Sequence, residues 1–213
     1  MRAYHLTSEK YALQSIQDLR LKLALLEDMN DPFELMALEA RSSNDRSFFR
    51  KLKAEMHQSV GVLCFSKNWR NPVLWSHYAD KHRGICLGFD IPDEHILKVD
   101  YRTTRLKAEL EDQDARPGQK HIAIRLITTK YTHWKYEDEV RLLYKLEQVE
   151  AANGLYFAPY YPWLELREVV LGPRSDLTLQ DMRQNISQHH QDVQVYRARL
   201  AFRSYSVVRD RRT

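Results

Sequence analysis

The sequence is poor in cysteine and glycine, and each shortage excludes a class of protein. Only two Cys occur among the 213 residues, so no disulfide framework is expected and a reducing cytoplasm is the natural compartment. Cys64 and Cys86 each lie in an apolar run and are predicted to be buried thiols. Six Gly are too few for a Gly-rich or collagen-like chain.

The sequence also lacks long apolar runs and a metal-ligand pattern. No run reaches the roughly 18 apolar residues of a membrane span, and the N-terminus has no basic-then-apolar signal region. We therefore expect a complete cytoplasmic chain with no membrane partner. His77 and His82 are five residues apart and would lie on different faces of a helix, and His189 and His190 are only a local pair. No bound metal is therefore predicted.

The composition that is present is that of a globular protein with one basic end. Hydrophobic residues at 43% exclude a disordered composition, and the length suits one domain over residues 1–213. The net charge of +4 is mild, but residues 197–213 contain a single Asp and six arginines: Arg197, Arg199, Arg203, Arg209, Arg211 and Arg212. Such an end suits RNA, DNA or another polyanion, and a solubilising tail is an equally good interpretation.

Hydrophobic periodicity predicts more strands than helices, without strict alternation between them. Predicted strands cover residues 2–6, 19–23, 60–66, 84–89, 96–101, 166–172, 193–200 and 204–208, with one more that ends at Tyr144. The first predicted helix begins after Thr7 or Ser8, and further helices cover residues 43–58, 72–79 and 119–129. A last helix begins after Asp176 or Thr178 and ends at about His189. Residues 151–162 are predicted as an irregular aromatic loop. The fold class is therefore α+β with a largely antiparallel sheet.

One stretch, residues 130–144, combines acidic residues with a strand pattern. In a strand, residues two apart share a face, so Glu137, Glu139 and Arg141 are predicted to project together while Val140 and Leu142 point to the core. Neighbouring carboxylates raise a pKa and an adjacent Arg lowers it, so such a group can orient a hydroxyl or stabilise a developing cation. The alternative is a solvated strand face with an ion pair, in which Arg141 only pairs with Glu137.

Four polar clusters occur where strands or tight turns expose them: Tyr4-His5-Leu6-Thr7, Asn30-Asp31-Pro32-Phe33-Glu34, Trp75-Ser76-His77-Tyr78-Ala79 and Trp134 to Arg141. The order of these clusters and their residues resemble a bacterial family catalogued only as a domain of unknown function, and the resemblance covers most of the chain. That family in turn looks like a distant branch of the ADP-ribosyltransferase fold. The resemblance implies split, largely antiparallel sheets with flanking helices that hold NAD in a cleft.

The second resemblance implies roles only where residues match. The first strand ends in Tyr-His, similar to the motif whose His holds the ribose and nicotinamide; here this is His5, with Thr7 nearby. Ser66 takes the serine position of the second motif. Tyr78, helped by Trp75, takes the position of the aromatic residue that stacks on nicotinamide.

The Glu-x-Glu at the head of the late strand looks like the catalytic motif of these transferases. It implies Glu139 as the catalytic residue and Glu137 as the residue that orients the substrate, with Arg141 beside them as a cofactor contact. Two departures are clear: no Gly follows His5, and the Asn-Asp-Pro-Phe-Glu turn has no counterpart. Asn30 and Asp31 therefore either line the NAD pocket or form only a rigid turn.

The residue types agree with the chemistry that the resemblance implies. Cleavage between nicotinamide and ribose develops positive charge on the sugar, which a fixed carboxylate stabilises, and an aromatic wall suits the leaving ring. The expected function is thus an NAD-dependent ADP-ribosyltransferase, as a toxin or anti-phage effector with an antitoxin partner, acting on RNA or DNA held by Arg197, Arg199, Arg203 and Arg209. The alternatives are an RNA 2′-phosphotransferase-like or NAD-hydrolysing enzyme, or an inactive nucleic-acid-binding module. Trp75 and Trp134 also suit a core, and His5 also suits a bond to a buried carbonyl.

Overall fold

The computed structural model describes residues 1–107, 118–186 and 192–212. The helices are α1 Glu9–Asp18, α2 Ser43–Ser59, α3 Pro72–Tyr78, α4 Gly118–Ile127 and α5 Leu179–Ile186. The strands are β1 Arg2–Thr7, β2 Arg20–Lys22, β3 Ala24–Leu25, β4 Val60–Ser66, β5 Ile85–Asp90, β6 Leu97–Lys98, β7 Asp100–Arg102, β8 Thr129–Tyr131, β9 Glu139–Lys145, β10 Glu150–Ala152, β11 Leu155–Pro159, β12 Glu165–Leu171, β13 Gln194–Leu200 and β14 Val207–Arg209. Short 3-10 helices cover Leu26–Asp28, Asp93–His95, Thr132–Glu137 and Leu146–Gln148.

A mixed α+β fold with mainly antiparallel sheets is confirmed. Within the described residues the main sheet has nine strands in the order β14-β13-β12-β5-β1-β4-β9-β6, with β3 beside β4. The pair β12–β13 is parallel, as is the separate two-stranded ribbon β7–β8. β10, β11 and β2 form a small antiparallel sheet. No helix in the described ranges is both long and apolar enough to cross a lipid bilayer.

Strand alternation decides which helix covers each face of the main sheet. Along β5, Ile85, Leu87 and Phe89 pack into one core cluster with residues of α1 and α5. Cys86 points the other way and packs with Trp75 of α3 in a second cluster. A third cluster places α2 and α4 against β4. The helices therefore lie on both faces, and α3 lies on the face that also carries the polar clusters.

Most predicted elements are confirmed, and one region is wrong. The strand predicted at residues 60–66 has those bounds as β4, and Ser42 begins α2 with a capping box to Asp45. The apolar stripe of α2 buries Met56, whereas Phe48 is exposed. Residues 151–162 are not an irregular loop, because β10 and β11 form a hairpin through Asn153 and Gly154, both at positive φ.

Three further predictions have mixed outcomes. Cys86 is buried as predicted, but Cys64 is only half-buried. The strand predicted at residues 96–101 is divided into β6 and β7. The last helix, α5, begins after Thr178, one of the two predicted caps, and not after Asp176. Its predicted end at His189 and the pair His189–His190 lie outside the described residues.

Candidate functional site

A cavity of about 250 Å³ lies on the α3 side of the sheet, beside β1, β4 and β9. Its lining combines aromatic and apolar groups with a concentration of charged ones: Tyr4, His5, Leu6, Ala24, Asp28, Met29, Asn30, Glu34, Cys64, Phe65, Ser66, Leu74, Tyr78, Lys130, Glu137 and Glu139. Six of the residues singled out in the sequence are among them. The cavity therefore brings together His5, Asn30, Ser66, Tyr78, Glu137 and Glu139, which are widely separated along the chain.

Pairing between strands explains why three of these positions meet. Tyr4 of β1 is opposite Ser66 of β4, and Ser66 is opposite Glu139 of β9. Residues directly opposite on adjacent strands project to the same face of a sheet. The three residues therefore form one row across β1, β4 and β9, and this row lies under the cavity.

A buried cluster of five charged side chains forms the floor of the site. Arg141 is fully buried and donates to both oxygens of Glu34, at 2.6 and 3.0 Å, and to both oxygens of Glu139, at 2.7 and 3.1 Å. Lys130 Nζ lies 2.7 Å from Glu137, 3.1 Å from Glu139 and 3.7 Å from Glu34. Three carboxylates thus share two cations. Bidentate and charge-assisted bonds of this kind are the strong ones, so the cluster has a fixed geometry.

The cluster shifts the pKa values of its two neighbouring glutamates in opposite directions. Burial alone would raise the pKa of Glu139, but the charges of Arg141 and Lys130 outweigh burial and lower it to about 2. For Glu137 burial prevails, and its pKa is raised despite Lys130 and Tyr78. Opposite shifts of adjacent titratable groups give them different acid–base roles. Here Glu139 is the carboxylate that stays ionised, and Glu137 is the one whose protonated form is favoured by burial.

Glu137 is held by a chain of polar groups that reaches the cavity. The Tyr78 hydroxyl donates to Glu137 Oε1, and Asn30 Nδ2 donates to the Tyr78 oxygen at 2.5 Å. The Ser66 hydroxyl donates to the backbone carbonyl of Glu137 at 2.5 Å. Ser66 therefore positions the backbone that carries Glu137, while Asn30 and Tyr78 orient its carboxylate.

His5 enters the cavity where β1 and β4 pair through a single position, Tyr4 with Ser66. Its Nδ1 lies 3.2 Å from the Cys64 carbonyl, which can only accept, so Nδ1 carries the proton. Burial lowers the pKa of His5 and favours the neutral ring. The expected bond to a backbone carbonyl is therefore present, and Nε2 remains as an acceptor for a ligand hydroxyl.

Several predicted site residues lie outside the cavity wall. Trp75 is fully buried in the core and donates its indole N–H to the Trp69 carbonyl at 2.6 Å, so it is not a platform for a ligand ring. Thr7 is half-buried at the end of β1 and is not part of the lining. Asp31 is buried and its carboxylate accepts from the Phe33 N–H at 2.9 Å, which makes it the structural residue of the turn. Arg141 lies beneath Glu139 rather than in the cavity wall.

The predicted strand face is wrong in one respect. Glu137 belongs to the 3-10 helix Thr132–Glu137, and Asp138 has a left-handed conformation with φ 45° before β9 begins at Glu139. Glu137 and Glu139 converge because of this turn and not because of strand alternation. The alternative of a solvated face is also wrong, because Glu137, Glu139 and Arg141 are all buried. Val140 and Leu142 point to the core as predicted.

The basic end of the chain is divided between structural and exposed arginines. Arg197 donates to the carbonyls of Ser175 and Leu177, so both its terminal nitrogens are engaged. Arg199 lies 5.2 Å over Phe202, and Arg209 lies 4.3 Å over Tyr196. Arg203 is exposed in the β13–β14 connection. In the same connection Phe202 and Tyr205 are 87% and 101% exposed, so arginines and aromatic rings share one surface.

Lys130 and Glu34 are part of the site although neither was predicted as a site residue. Lys130 begins the stretch of residues 130–144, and Glu34 ends the Asn-Asp-Pro-Phe-Glu turn. Their charges become interpretable only when Arg141 and the two glutamates are placed beside them, and Glu34 is 107 residues from Arg141. The signal in the sequence that could have indicated their burial was a charged residue next to apolar ones in each motif.

A larger groove of about 920 Å³ lies elsewhere, along residues 159–167. Among its charged residues, Arg167 pairs with Asp90 and Glu165, and all three are partly exposed. Pairs of this kind are common on protein surfaces and contribute little. The smaller cavity is the better candidate, because its charged side chains are buried and shift the pKa values of two adjacent glutamates in opposite directions.

Fold and site together define an α+β protein with a carboxylate-rich cavity over a buried ion cluster. Residues 74–142 match a family described as a protein of unknown function (DUF2971), which confirms the expected kind of family over a shorter part of the chain than expected. The match contains Tyr78, Lys130, Glu137, Glu139 and Arg141. No curated protein and no solved structure matches the chain.

Proposed function

We propose that the cavity binds the nicotinamide–ribose end of NAD and that the protein transfers ADP-ribose to an acceptor. The observation that carries the proposal is the pair Glu137 and Glu139, with pKa values shifted in opposite directions, at one wall of a cavity that also contains His5 and Tyr78. Positive charge develops on ribose as the glycosidic bond breaks, and preorganised negative charge stabilises it.

The charge and size of the cavity agree with part of NAD. Among the five charged residues of the cluster, three carboxylates outnumber two cations, which suits the cationic nicotinamide ring. A volume of about 250 Å³ is below the roughly 300–1,000 Å³ of whole-ligand pockets. The cavity is therefore suited to the reacting end, with the adenylate end outside it. Tyr4, Phe65 and Tyr78 supply aromatic walls in place of Trp75.

Each group then has a distinct role. His5 Nε2 accepts from a ribose hydroxyl, and Glu139 remains ionised throughout the reaction. The bond between ribose C1′ and the nicotinamide nitrogen breaks, and its electron pair leaves with nicotinamide. A new bond forms from the acceptor to C1′, and the acceptor proton passes to the Glu137 carboxylate. The raised pKa of Glu137 suits this proton transfer.

The acceptor that we propose is a nucleic acid on the surface formed by Arg199, Arg203 and Arg209. Arginines neutralise phosphates, and exposed rings such as Phe202 and Tyr205 stack on unpaired bases. Residues 68–71 connect this surface to the site, because the Val207 N–H donates to the Arg70 carbonyl and Asn71 donates to Tyr136, next to Glu137. Both cysteines are free thiols, which fits a reducing compartment such as the cytoplasm. We propose that the protein acts there as a toxin or defence effector.

The test replaces Glu137 by Gln and measures nicotinamide release from NAD, with and without single-stranded RNA and DNA oligonucleotides. We expect a loss of roughly 100-fold or more in rate, because a positioned acid–base group typically contributes 10²–10⁴-fold. The matched control is Glu168→Gln, which changes a half-buried carboxylate that, like that of Glu137, accepts from a tyrosine. Its activity should remain at the wild-type level.

The products separate the alternatives. Labelled ADP-ribose on an oligonucleotide indicates transfer, and free ADP-ribose indicates hydrolysis. The proposal is refuted if wild-type protein releases no nicotinamide under either condition, or if Glu137→Gln retains full activity with an unchanged melting temperature.

A further inference from the structure

A second pocket, of about 390 Å³, adjoins the candidate site and has a basic lining. It is lined by Phe33, Met36, Ala37, Arg102, Thr103, Thr104, Arg105, Thr129, Lys130 and Tyr131. No acidic side chain is among these described residues, and the volume falls within the roughly 300–1,000 Å³ of ligand pockets. Lys130 belongs to the lining of both this pocket and the cavity beside Glu137.

The ribbon of β7 and β8 forms the wall between the two pockets. Tyr101 and Lys130 are opposite each other in the ribbon and face the site, since the Tyr101 oxygen accepts from the Glu139 N–H at 2.8 Å and Lys130 contacts Glu137. Strand alternation turns the neighbouring Arg102 and Tyr131 to the other side. The outer face of the same ribbon therefore lines the second pocket.

The guanidinium groups in this pocket have donors to spare. Arg102 donates a hydrogen bond from Nε to Asp100 at 2.7 Å. Its two terminal nitrogens make no hydrogen bond to any described residue. Arg105 lies 5.5 Å over the Phe33 ring and donates no hydrogen bond within the described part of the chain. Guanidinium groups bind phosphate oxygens in bidentate geometry, and Thr hydroxyls add further donors. The half-exposed rings of Phe33 and Tyr131 offer flat apolar surface beside these donors.

We propose that this pocket binds a phosphorylated nucleotide, with Arg102 and Arg105 on the phosphates and Phe33 or Tyr131 against the base. The nucleotide has two possible sources, the adenylate half of NAD or a nucleotide of a nucleic-acid acceptor, since the pocket shares Lys130 with the lining of the candidate site. The two sources rest on the proposed function, but the binding of ADP and pyrophosphate is measured without any reaction, so failure of this pocket can be distinguished from failure of the proposed transfer.

The experiment titrates the protein with ADP, pyrophosphate and adenosine by calorimetry. Wild-type protein should bind ADP and pyrophosphate, and adenosine much more weakly. The double variant Arg102→Ala/Arg105→Ala should bind ADP at least roughly tenfold more weakly, because charge-assisted bonds to both groups are lost. Arg83→Ala/Arg183→Ala removes the same charge from exposed sites elsewhere and should leave binding unchanged.

Competition identifies the source of the phosphates. If NAD displaces ADP and the Arg102/Arg105 double variant weakens NAD binding equally, the pocket takes the adenylate half of NAD. If a single-stranded oligonucleotide displaces ADP while NAD still binds, the pocket takes the acceptor. Equal ADP affinity in both double variants, binding of adenosine as tight as that of ADP, or no binding of ADP to folded wild-type protein would each overturn the proposal.

Discussion

Two groups of charged side chains on the same sheet differ mainly in their access to water. The cluster of Glu34, Lys130, Glu137, Glu139 and Arg141 has side-chain exposures of 0–6%. Elsewhere on the sheet, Arg2 pairs with Asp90 and Glu168, and Arg167 pairs with Asp90, at side-chain exposures of 17–41%. Both groups contain bidentate arginine contacts. They therefore allow the effect of burial to be separated from that of pairing geometry.

The difference lies in the cost of burial, which only the buried cluster bears in full. Burying charges costs several kcal/mol each, so a buried ion pair is weak evidence of stabilisation. In the half-exposed group, water compensates any imbalance of charge. In the buried cluster, three carboxylates share two cations with little access to water. An unbalanced, rigid and buried set beside a cavity is the arrangement expected of a functional site.

The largest expected effect on the free energy of unfolding comes from removing the central guanidinium of the buried cluster, compared with the same change in the half-exposed group. Arg141→Met should lower the free energy of unfolding by about 3–5 kcal/mol, because it leaves Glu34 and Glu139 buried without their main partner. Arg2→Met should cost about 1 kcal/mol or less, since Asp90 and Glu168 remain in contact with water. Urea unfolding of both variants measures the difference. Equal losses would show that burial is not what distinguishes the groups.

A smaller effect is expected from pH. The pKa of Glu139 is lowered from 4.5 to about 2, so its stabilising contribution is present above pH 4.5 and is lost as the pH falls toward 2. Glu137 has the opposite sign: its raised pKa gives a contribution that is complete below 4.5 and is lost as the pH rises through the raised value.

The measurement is the free energy of unfolding of wild type and Glu139→Gln between pH 7 and pH 2. The wild type should lose roughly 3 kcal/mol more on acidification than the variant, from 1.36 kcal/mol per pKa unit. Asp90→Asn is the control from the half-exposed group. Arg2 also lowers the pKa of Asp90, but solvent screening makes its contribution smaller. Parallel pH profiles for wild type and Glu139→Gln would contradict the assigned charge of Glu139.

Local pattern predicted much of this architecture, because each successful prediction depended on residues close in sequence. Length and β-branched content were enough for β4, and the amphipathic pattern of residues 43–58 was enough for α2. The β10–β11 hairpin was missed although Asn153-Gly154 is a strong turn signal, since aromatic content was given more weight.

The candidate site was predictable only in part, for a different physical reason. His5, Tyr78 and Glu139 were selected from motifs, and all three line the cavity. Lys130 was missed because a Lys is buried only where carboxylate partners compensate its charge. One of these partners, Glu34, lies in a turn that is distant in sequence. Trp75 was misplaced because a tryptophan in a short helix suits a core and a ligand wall equally well until its burial is known.

The smallest expected effect concerns salt. Asp90→Asn should cost roughly 0.2–1 kcal/mol at low ionic strength, as exposed ion pairs typically do. That cost should shrink in 1 M NaCl, where the Debye length is about 3 Å. Glu34→Gln removes a carboxylate from the buried cluster, and its larger cost should persist at the same salt concentration because water and ions do not reach Arg141. Urea unfolding of both variants and the wild type at two salt concentrations measures how each cost depends on salt. If the cost of Glu34→Gln fell as much as that of Asp90→Asn, the cluster would be open to solvent, and its fixed charges could not act on a ligand as proposed.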